Sequence, residues 1–252
     1  MPEIRSRKAL VNPEMRRRGI YLLPNLFTTA ALFAGFYAIV QAMTGRFEHA
    51  AVAIFIAMIL DGLDGRVARL TRTQSAFGAE YDSLSDMVSF GVAPALVMFE
   101  WAMKGMGKWG WIAAFIYCVG AALRLARFNT NIEVIDKRFF QGLPSPAAAA
   151  LIAGFVWVLM DLNYTGEDVR WYAWTLTIFA GVTMVSNFRY YSGKDINLRR
   201  SVPFIAVLAI VLFFVLVSSY PPGILFALFL CYAISGYVMA AWGWLRRKKT
   251  SA

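Results

Sequence analysis

The most informative stretch of the chain is Ala50-Ala-Val-Ala-Ile-Phe-Ile-Ala-Met-Ile-Leu60-Asp61-Gly-Leu-Asp64-Gly65. Every residue from Ala50 to Leu60 is apolar, and two aspartates follow within the next four positions. A helix that is apolar on all sides is buried in a large core or in a membrane. Carboxylates at membrane depth are costly and usually mark a functional site. The stretch therefore predicts a membrane helix with functional acids near one end.

The composition of the whole chain supports a membrane protein. The 252 residues are 59% hydrophobic and 16% charged, whereas soluble domains are about 25% charged. The apolar residues form blocks of about 18 to 22 residues, enough for a helix to cross a hydrocarbon core of roughly 30 Å. We expect an all-α, polytopic membrane bundle of about eight transmembrane helices. The predicted spans are Leu22–Met43, Phe47–Arg66, Leu84–Trp101, Trp109–Phe128, Pro144–Leu162, Tyr172–Phe188, Pro203–Tyr220 and Gly223–Leu245.

The basic residues are distributed unevenly between the two ends of these spans. Of the 25 lysines and arginines, 21 lie in the two tails and in every second connection, which leaves four for the opposite side. The positive-inside rule then places both termini in the cytoplasm. The net charge of +10 is explained by topology and by attraction to anionic lipid headgroups. A nucleic-acid partner is not predicted.

Four aspartates fall on matching faces of two successive helices. Asp61 and Asp64 are three residues apart, and Asp82 and Asp86 are four apart, so each pair lies on one helical face. Two antiparallel helices joined by a short turn can direct all four carboxylates to one point. Such a cluster needs a counter-charge, and oxygen ligands suit hard divalent cations, Mg²⁺ or Mn²⁺. We expect two ions, an arrangement that suits phosphoryl transfer.

Small residues continue the same two faces. Gly65 and Ala68 extend the first face and Gly78 begins the second, which leaves room for a planar or phosphate-bearing ligand. The second pair of acids needs two distinct roles: one carboxylate ligates a metal while the other accepts a proton from the nucleophile.

Other interpretations of the acids stay open at this point. The acids could pair with Arg66, Arg69 and Arg72. They could also form a Ca²⁺ loop, although the alternating oxygens and terminal glutamate of an EF-hand are absent. An ion-coupled transporter is the alternative from another class, because intramembrane acids also line ion pathways. Transporters commonly contain inverted repeats, and the sequence shows no repeat, so an enzyme is favoured.

Eight residues resemble, in type and spacing, the full signature of the CDP-alcohol phosphotransferase family. They are Asp61, Asp64, Gly65, Ala68, Arg69, Gly78, Asp82 and Asp86. The resemblance implies that the first three aspartates, Asp61, Asp64 and Asp82, ligate two metal ions. It also implies that Asp86 is both a ligand and the catalytic base for the incoming hydroxyl.

The same resemblance implies a nucleotide pocket and an architecture. The CDP contacts would come from Gly65, Ala68, Arg69 and Gly78. Asn25 and Thr28 open the first span, where they either cap that helix or touch the diphosphate. A homodimer is implied, as is a six-helix catalytic core, here residues 20–188. The chain would then be a single membrane domain, 1–252, with a basic interfacial segment at 1–19 and two additional helices at 203–245.

Further stretches of the sequence indicate which alcohol supplies the incoming hydroxyl. They are Tyr21–Thr28, Ser85–Ala95, Arg124–Asn129 and Gly142–Pro146. Together they resemble the membrane-embedded phosphatidylserine synthases of bacteria and archaea within that family. The resemblance implies transfer of the phosphatidyl group of CDP-diacylglycerol to L-serine in a prokaryotic cytoplasmic membrane, with the active site near the cytoplasmic face.

The residue types at the end of the fourth span agree with serine as acceptor. Arg124 and Arg127 could hold a carboxylate as an arginine fork, and Asn129 and Ser145 are further candidate contacts. Basic residues at the end of a span also occur for topology alone, and that interpretation stays open. Glycerol 3-phosphate and inositol phosphate are the alternative acceptors, and their phosphate groups would require additional arginine or lysine.

Overall fold

The computed structural model describes residues 13–71, 73, 75–130, 139–192 and 204–250, and most of that length is helical. Residues Ala76–Met106 form one continuous rod, which alternates α-helical, π-helical and 3₁₀ turns. The elements are α1 (Pro13–Met43), α2 (Phe47–Thr71), α3 (Ala76–Asp86), α4 (Ala93–Met98), α5 (Lys108–Thr130), β1 (Phe139–Gln141), α6 (Ser145–Asp161), α7 (Arg170–Val185), β2 (Arg189–Tyr191), α8 (Phe204–Ser219) and α9 (Pro221–Thr250).

The helices agree with the predicted class of membrane protein. Each of the predicted spans overlaps a helix of the structure. Within the described residues, four helices are long and apolar enough to cross a bilayer, and α6 and part of α8 are shorter apolar helices. The four are Leu23–Met43, Ala76–Met106, Lys108–Thr130 and Pro221–Trp242. A mostly helical membrane protein is thereby confirmed, while the count of eight spans and the orientation of the termini stay predictions.

α1 and α2 form a tight antiparallel hairpin. Gly45 has a φ of 77°, and its N–H donates to the Ala42 carbonyl over 3.0 Å, so a glycine ends α1 in the left-handed conformation. Small side chains on both helices are buried, which lets two backbones approach closely in a membrane bundle. They are Ala31, Ala34, Ala38 and Ala42 on α1, and Ala50, Ala53 and Ala57 on α2.

The rod is fixed to α1 by two buried serines one helical turn apart. The Ser85 hydroxyl donates to the Thr28 carbonyl over 3.1 Å, and the Ser89 hydroxyl donates to the Ala31 carbonyl over 3.1 Å. A π-helical segment, Met87–Val92, begins directly after Asp86. Such segments are wider than an α-helix and often occur at functional sites. The serines and the π-helical segment thus determine how the α3 acids face α1 and α2.

The interior of the bundle is built from small residues. α6 is almost wholly buried over Ala147–Gly154 and contacts α2, α7 and α9. α5 and α7 cross so closely at Gly120 and Gly181 that a Cβ on Gly120 would collide with the Gly181 carbonyl. Glycine at these positions permits the close crossing.

A short antiparallel β-ladder was not expected from the sequence. β1 pairs with β2 in the register Phe139–Tyr191, Phe140–Tyr190 and Gln141–Arg189. The ladder joins two connections that the all-α prediction treated as independent loops. Strands of three residues have too few positions to show a period, so their pairing depends on tertiary contacts.

The last two helices differ in how they pack. All but one of the described side chains of α8 are exposed, whereas α9 lies along α6. At that contact, a Cβ on Gly154 would lie 3.1 Å from Phe226 Cα. α9 is therefore part of the bundle.

Candidate functional site

A pocket of about 330 Å³ lies where α1, α2 and α3 meet. The volume is at the small end of ligand pockets, which run from about 300 to 1,000 Å³. Its lining includes the four residues expected to contact CDP, the two that either cap a helix or touch the diphosphate, and two of the four aspartates. They are Asn25, Thr28, Gly65, Ala68, Arg69 and Gly78, with Asp64 and Asp82. The structure thus brings these side chains together, although their roles toward a nucleotide stay predictions.

Helical periodicity places the acids as the sequence analysis expected. Asp61 and Asp64 lie on α2, and Asp82 and Asp86 lie on α3. Carboxylate oxygens of Asp61, Asp64 and Asp82 all lie within 4.8 Å of one another. Asp86 neighbours Asp61 and lies within electrostatic range of Asp82 and of Arg124, which also acts on Asp61. Two like charges 4.8 Å apart repel by on the order of 3 kcal/mol at an effective dielectric constant of about 20.

The hydrogen bonds within the cluster leave capacity for a cation. Asp64, which is 5% exposed, accepts a hydrogen bond from the Thr28 hydroxyl over 2.8 Å. Oδ1 of Asp82 is buried and has no hydrogen-bond partner among the residues that the structure describes. A buried carboxylate oxygen without a partner is costly, and a hard divalent cation with oxygen ligands would satisfy it. The donor set therefore fits Mg²⁺ or Mn²⁺.

Two of the alternative interpretations of the acids can now be judged. The Ca²⁺-loop interpretation is wrong, because Asp61–Gly65 lies inside α2 and not in a loop. Within the described residues, which exclude Arg72, neither Arg66 nor Arg69 forms an ion pair with any of the four aspartates. The guanidinium of Arg69 instead folds back over Gly65, where Nη1 would lie 3.4 Å from an added Cβ.

The wall of the pocket on α3 is formed by a helix N-terminus. Ser75 is the N-cap of α3, and its hydroxyl accepts a hydrogen bond from the Gly78 N–H over 3.0 Å. An added Cβ on Gly78 would lie 3.1 Å from Ser75 Oγ and 3.5 Å from Asn25 Oδ1. Glycine therefore lets α1 and α3 approach each other at the pocket. Ser75 was missed in the sequence analysis, although serine three residues before Gly78 is a recognisable capping signal.

The interpretation of Asn25 and Thr28 as helix caps is wrong. α1 begins at Pro13 and continues through Pro24, so both residues lie inside the helix. Pro24 lacks the N–H that would bond to the preceding turn, and the Thr28 hydroxyl also donates to the Pro24 carbonyl over 3.1 Å. Both side chains instead face the pocket.

The four candidate serine contacts separate into three groups. Arg124 Nη1 donates to the buried Ser145 hydroxyl over 2.6 Å, and the Arg124 guanidinium lies within electrostatic range of Asp86 and Asp61. Arg127 Nη1 donates to Asn187 Oδ1 over 3.2 Å and to the carbonyl of Ser186, the C-cap of α7, over 3.4 Å.

The third group is Asn129 at the end of α5, which contacts α3. Asn129 Nδ2 donates to the Ser83 hydroxyl over 3.0 Å. Ser83 was also missed, since a single serine beside Asp82 gives no sequence signal. Of the two candidate arginines, Arg124 interacts electrostatically with the acids, and Arg127 connects α5 to the C-terminus of α7. The two arginines thus have different partners, and their joint role toward a serine carboxylate stays a prediction.

Comparisons with known proteins agree with this geometry. Residues 21–186 match the family model of CDP-alcohol phosphatidyltransferase. The chain is 40% identical over 181 residues to the CDP-diacylglycerol–serine O-phosphatidyltransferase of Helicobacter pylori. The aligned residues make up 71% of this chain and 75% of that protein.

Relatives from other organisms carry the same name. The protein from Mycobacterium tuberculosis is 39% identical over 178 residues, or 67% of this chain and 60% of the relative. The protein from Methanocaldococcus jannaschii is 41% identical over 137 residues, or 54% of this chain and 61% of the relative. The similarity thus extends across bacteria and archaea.

Proposed function

Because this chain belongs to the CDP-alcohol phosphatidyltransferase family, we propose that it transfers the phosphatidyl group of CDP-diacylglycerol to L-serine. The products are phosphatidylserine and CMP. The observation that carries the proposal is the cluster of Asp61, Asp64 and Asp82 beside a pocket lined by the family's signature residues. The names of the relatives, from Helicobacter pylori to Methanocaldococcus jannaschii, support serine as the acceptor.

The reaction is a displacement at the phosphorus that carries the diacylglycerol. The serine hydroxyl oxygen forms a new bond to this phosphorus, and the bond from the phosphorus to the CMP oxygen breaks. The serine proton passes to a carboxylate within hydrogen-bond reach. Asp86 is our candidate for this base, because it lies on the side of the cluster that faces Arg124, where we place the acceptor.

The metal ligands in this proposal are Asp61, Asp64 and Asp82, with Asp86 as a further ligand. Two divalent ions, Mg²⁺ or Mn²⁺, would neutralise these carboxylates and the diphosphate and stabilise the attacking and leaving oxygens. The partnerless oxygen of Asp82 supports this assignment.

The nucleotide is assigned to the pocket on the α1 side of the cluster. Gly65, Ala68 and Gly78 leave the space that a flat nucleotide needs, and Arg69 borders the same space. A guanidinium can bind diphosphate oxygens in a bidentate manner. Asn25 and Thr28 add polar groups on α1, and the Thr28 hydroxyl also orients Asp64.

The acceptor is assigned to the other side of the cluster, at Arg124 and Ser145. The guanidinium of Arg124 can bind the carboxylate of serine while Ser145 fixes its direction. Asn129 is a weaker candidate, because its amide is bonded to Ser83. Glycerol 3-phosphate would need more positive charge, and the nearby Arg127 is already bonded to Ser186 and Asn187.

The setting in the membrane follows from charge and resemblance. We place both termini and the aspartate cluster toward the cytoplasm, because 21 of the 25 basic residues lie on that side of the predicted topology. A prokaryotic cytoplasmic membrane is proposed from the relatives. A homodimer is proposed from the family resemblance.

A panel of acceptors tests the proposed function. Purified protein is given CDP-diacylglycerol and Mn²⁺ with L-serine, glycerol 3-phosphate or inositol phosphate, and CMP release is measured. We expect CMP release with L-serine alone. Release with a phosphorylated acceptor and none with serine would overturn the choice of acceptor and leave the family chemistry in place.

A further inference from the structure

A proline shortly after Asp86 removes one backbone hydrogen bond from the rod. In an α-helix the Phe90 carbonyl would accept from the N–H of the residue four positions later, and that residue is Pro94, which has no N–H. The rod is π-helical over Met87–Val92, a local adjustment by which membrane helices accommodate proline. The Phe90 carbonyl is therefore available to a donor from a neighbouring helix.

Tyr117 of α5 supplies that donor. Its hydroxyl donates to the Phe90 carbonyl over 3.0 Å, and both side chains are fully buried. One helical turn further along α5, Ala121 lies against the same segment, because a Cβ added to Gly91 would be 3.1 Å from the Ala121 Cβ. Removal of a buried donor leaves its acceptor unsatisfied, which is costly. Tyr117 therefore fixes the position of the π-helical segment along α5.

The opposite side of the π-helical segment is held by α1. The Ser89 hydroxyl donates to the Ala31 carbonyl over 3.1 Å. Gly35 lies so close to this serine that an added Cβ would collide with both the backbone and the side chain of Ser89. The segment that follows Asp86 is thus enclosed between α1 and α5, with a buried hydrogen bond to each.

Asp86 lies between two hydrogen bonds that join the rod to α5. Three residues before it, the Ser83 hydroxyl accepts from Asn129 Nδ2 over 3.0 Å, at an exposed position. Four residues after it, the Phe90 carbonyl accepts from Tyr117, at a buried position. The buried bond is the stronger constraint, because a hydrogen bond is electrostatically stronger inside a protein than in water. A shift of Phe90 would be transmitted to Asp86, one turn away on the same rod.

We infer that Tyr117 is a positioning residue for the phosphatidyl transfer, which holds the rod where the Asp86 carboxylate can accept the proton of the incoming hydroxyl. The inference rests on the proposed function, in which Asp86 is the base. A general base must lie within hydrogen-bond reach of the proton that it accepts, and a misplacement of about 1 Å can lower a rate by up to about 10²-fold. Tyr117 acts through the backbone of the rod and not through a contact with substrate.

The nucleotide pocket should be affected much less than the base. The part of α3 that lines the pocket is its beginning, at Gly78, Ala79 and Asp82. That end of the helix has its own cap, in which the Gly78 N–H donates to Ser75. Loss of the Tyr117 hydroxyl should therefore lower turnover and leave the binding of the CDP-lipid in place.

The test is the variant Tyr117→Phe, which keeps the ring and removes the hydroxyl. We expect kcat to fall about tenfold and the affinity for CDP-diacylglycerol to stay within about twofold, as for a small misplacement of a reacting group. Turnover is divided by the number of sites that bind the CDP-lipid, so that unfolded protein is not counted. An unchanged kcat would overturn the inference, as would a fall in kcat with an equal loss of lipid affinity.

Tyr190→Phe is the matched control. Tyr190 is also fully buried, and its hydroxyl donates to the Ala233 carbonyl of α9 over 2.8 Å. Both variants lose one buried hydrogen bond to a carbonyl, so both should unfold at similarly lowered temperatures. Only Tyr117→Phe should lose turnover per lipid-binding site. An equal fall in kcat in the two variants would show a general loosening of the bundle and contradict a positioning role.

A double-mutant cycle tests whether the Tyr117 hydroxyl acts through Asp86. If it does, Tyr117→Phe should cause little further loss of turnover in a protein that already carries Asp86→Asn. A further loss of about tenfold in that background would contradict an action through Asp86. The proposed function fails separately: a wild-type protein that makes no phosphatidylserine from L-serine contradicts the reaction. Normal synthesis by the wild type with an unchanged kcat in Tyr117→Phe contradicts the inference alone.

Discussion

Asp82 and Asp86 are one turn apart on α3 but have different surroundings. Asp82 has a buried oxygen without a partner and shares a cluster with Asp61 and Asp64, which suits a metal ligand. Asp86 faces Asp61 and Arg124, on the side assigned to the acceptor. The two roles that the sequence required of this pair can therefore be divided by position.

We predict that Asp86→Asn loses the chemical step while it keeps substantial affinity for CDP-diacylglycerol. The serine hydroxyl must lose its proton as it attacks, and an amide of the same shape cannot accept that proton. Turnover should fall by about 10² or more, the usual contribution of general base catalysis. Single-turnover kinetics and lipid-binding measurements on the same preparation separate the two effects.

Asp61→Asn is the matched comparison for this variant. It removes a predicted ligand, so both turnover and affinity for the CDP-lipid should fall. If Asp86→Asn retains near-normal turnover with intact metal dependence, the assignment of the base is wrong, and Asp82 becomes the next candidate.

Ala68 tests the nucleotide pocket. It lines the pocket with Gly65 and Gly78, so the larger side chain of Ala68→Leu would occupy the space assigned to CDP. We predict at least a tenfold loss of CDP-diacylglycerol affinity, about 1.4 kcal/mol, in a protein that remains folded. Ala209→Leu makes the same change at an exposed position of α8 and should bind normally. Equal binding by both variants would move the nucleotide away from this groove.

At the scale of single elements, close packing between helices depends on residues without side chains. α5 and α7 cross at Gly120 and Gly181, and α5 carries Arg124 less than two turns further on. The position of Arg124 is therefore tied to the α5–α7 crossing, as well as to its hydrogen bond with Ser145.

We predict that Gly120→Ala destabilises the protein, because its Cβ would collide with the Gly181 carbonyl. The expected cost is about 1–3 kcal/mol, typical of overpacking, and it should appear as a lower midpoint of thermal unfolding in detergent. Gly105→Ala is the control, since an added Cβ at Gly105 has nothing within 4 Å. Equal midpoints for the two variants would show that the crossing tolerates a methyl group.

The parts of the site that could be predicted from the sequence are those fixed within one helix. The faces of Asp61 with Asp64 and of Asp82 with Asp86 follow from helical periodicity alone. Contacts between distant elements could not be predicted in this way. The bond from Arg127 to Asn187 and the bond from the Tyr232 hydroxyl to the Tyr191 carbonyl depend on how α5, α7, β2 and α9 pack, and the sequence has no local signal for that packing.

At the scale of the whole molecule, α2 and α3 bring Asp61, Asp64, Asp82 and Asp86 together where the chemistry is proposed. Four carboxylates converge within an otherwise apolar bundle, and Arg124 and Arg69 are the nearest cations among the described residues that interact with them. Two arginines do not balance four carboxylates, so the folded protein should depend on divalent cations for its activity. Cations should also raise the midpoint of thermal unfolding, because a ligand that binds the folded state alone stabilises it.

The most direct test of the central claim is the formation of phosphatidylserine from labelled L-serine and CDP-diacylglycerol by the purified protein, with and without free divalent cations. We predict labelled lipid and an equal amount of CMP in Mn²⁺ or Mg²⁺, no product in excess EDTA, and recovery when Mn²⁺ is restored. Full activity in excess chelator would contradict the metal assignment of the four aspartates, and the absence of labelled lipid under every metal condition would contradict the proposed reaction.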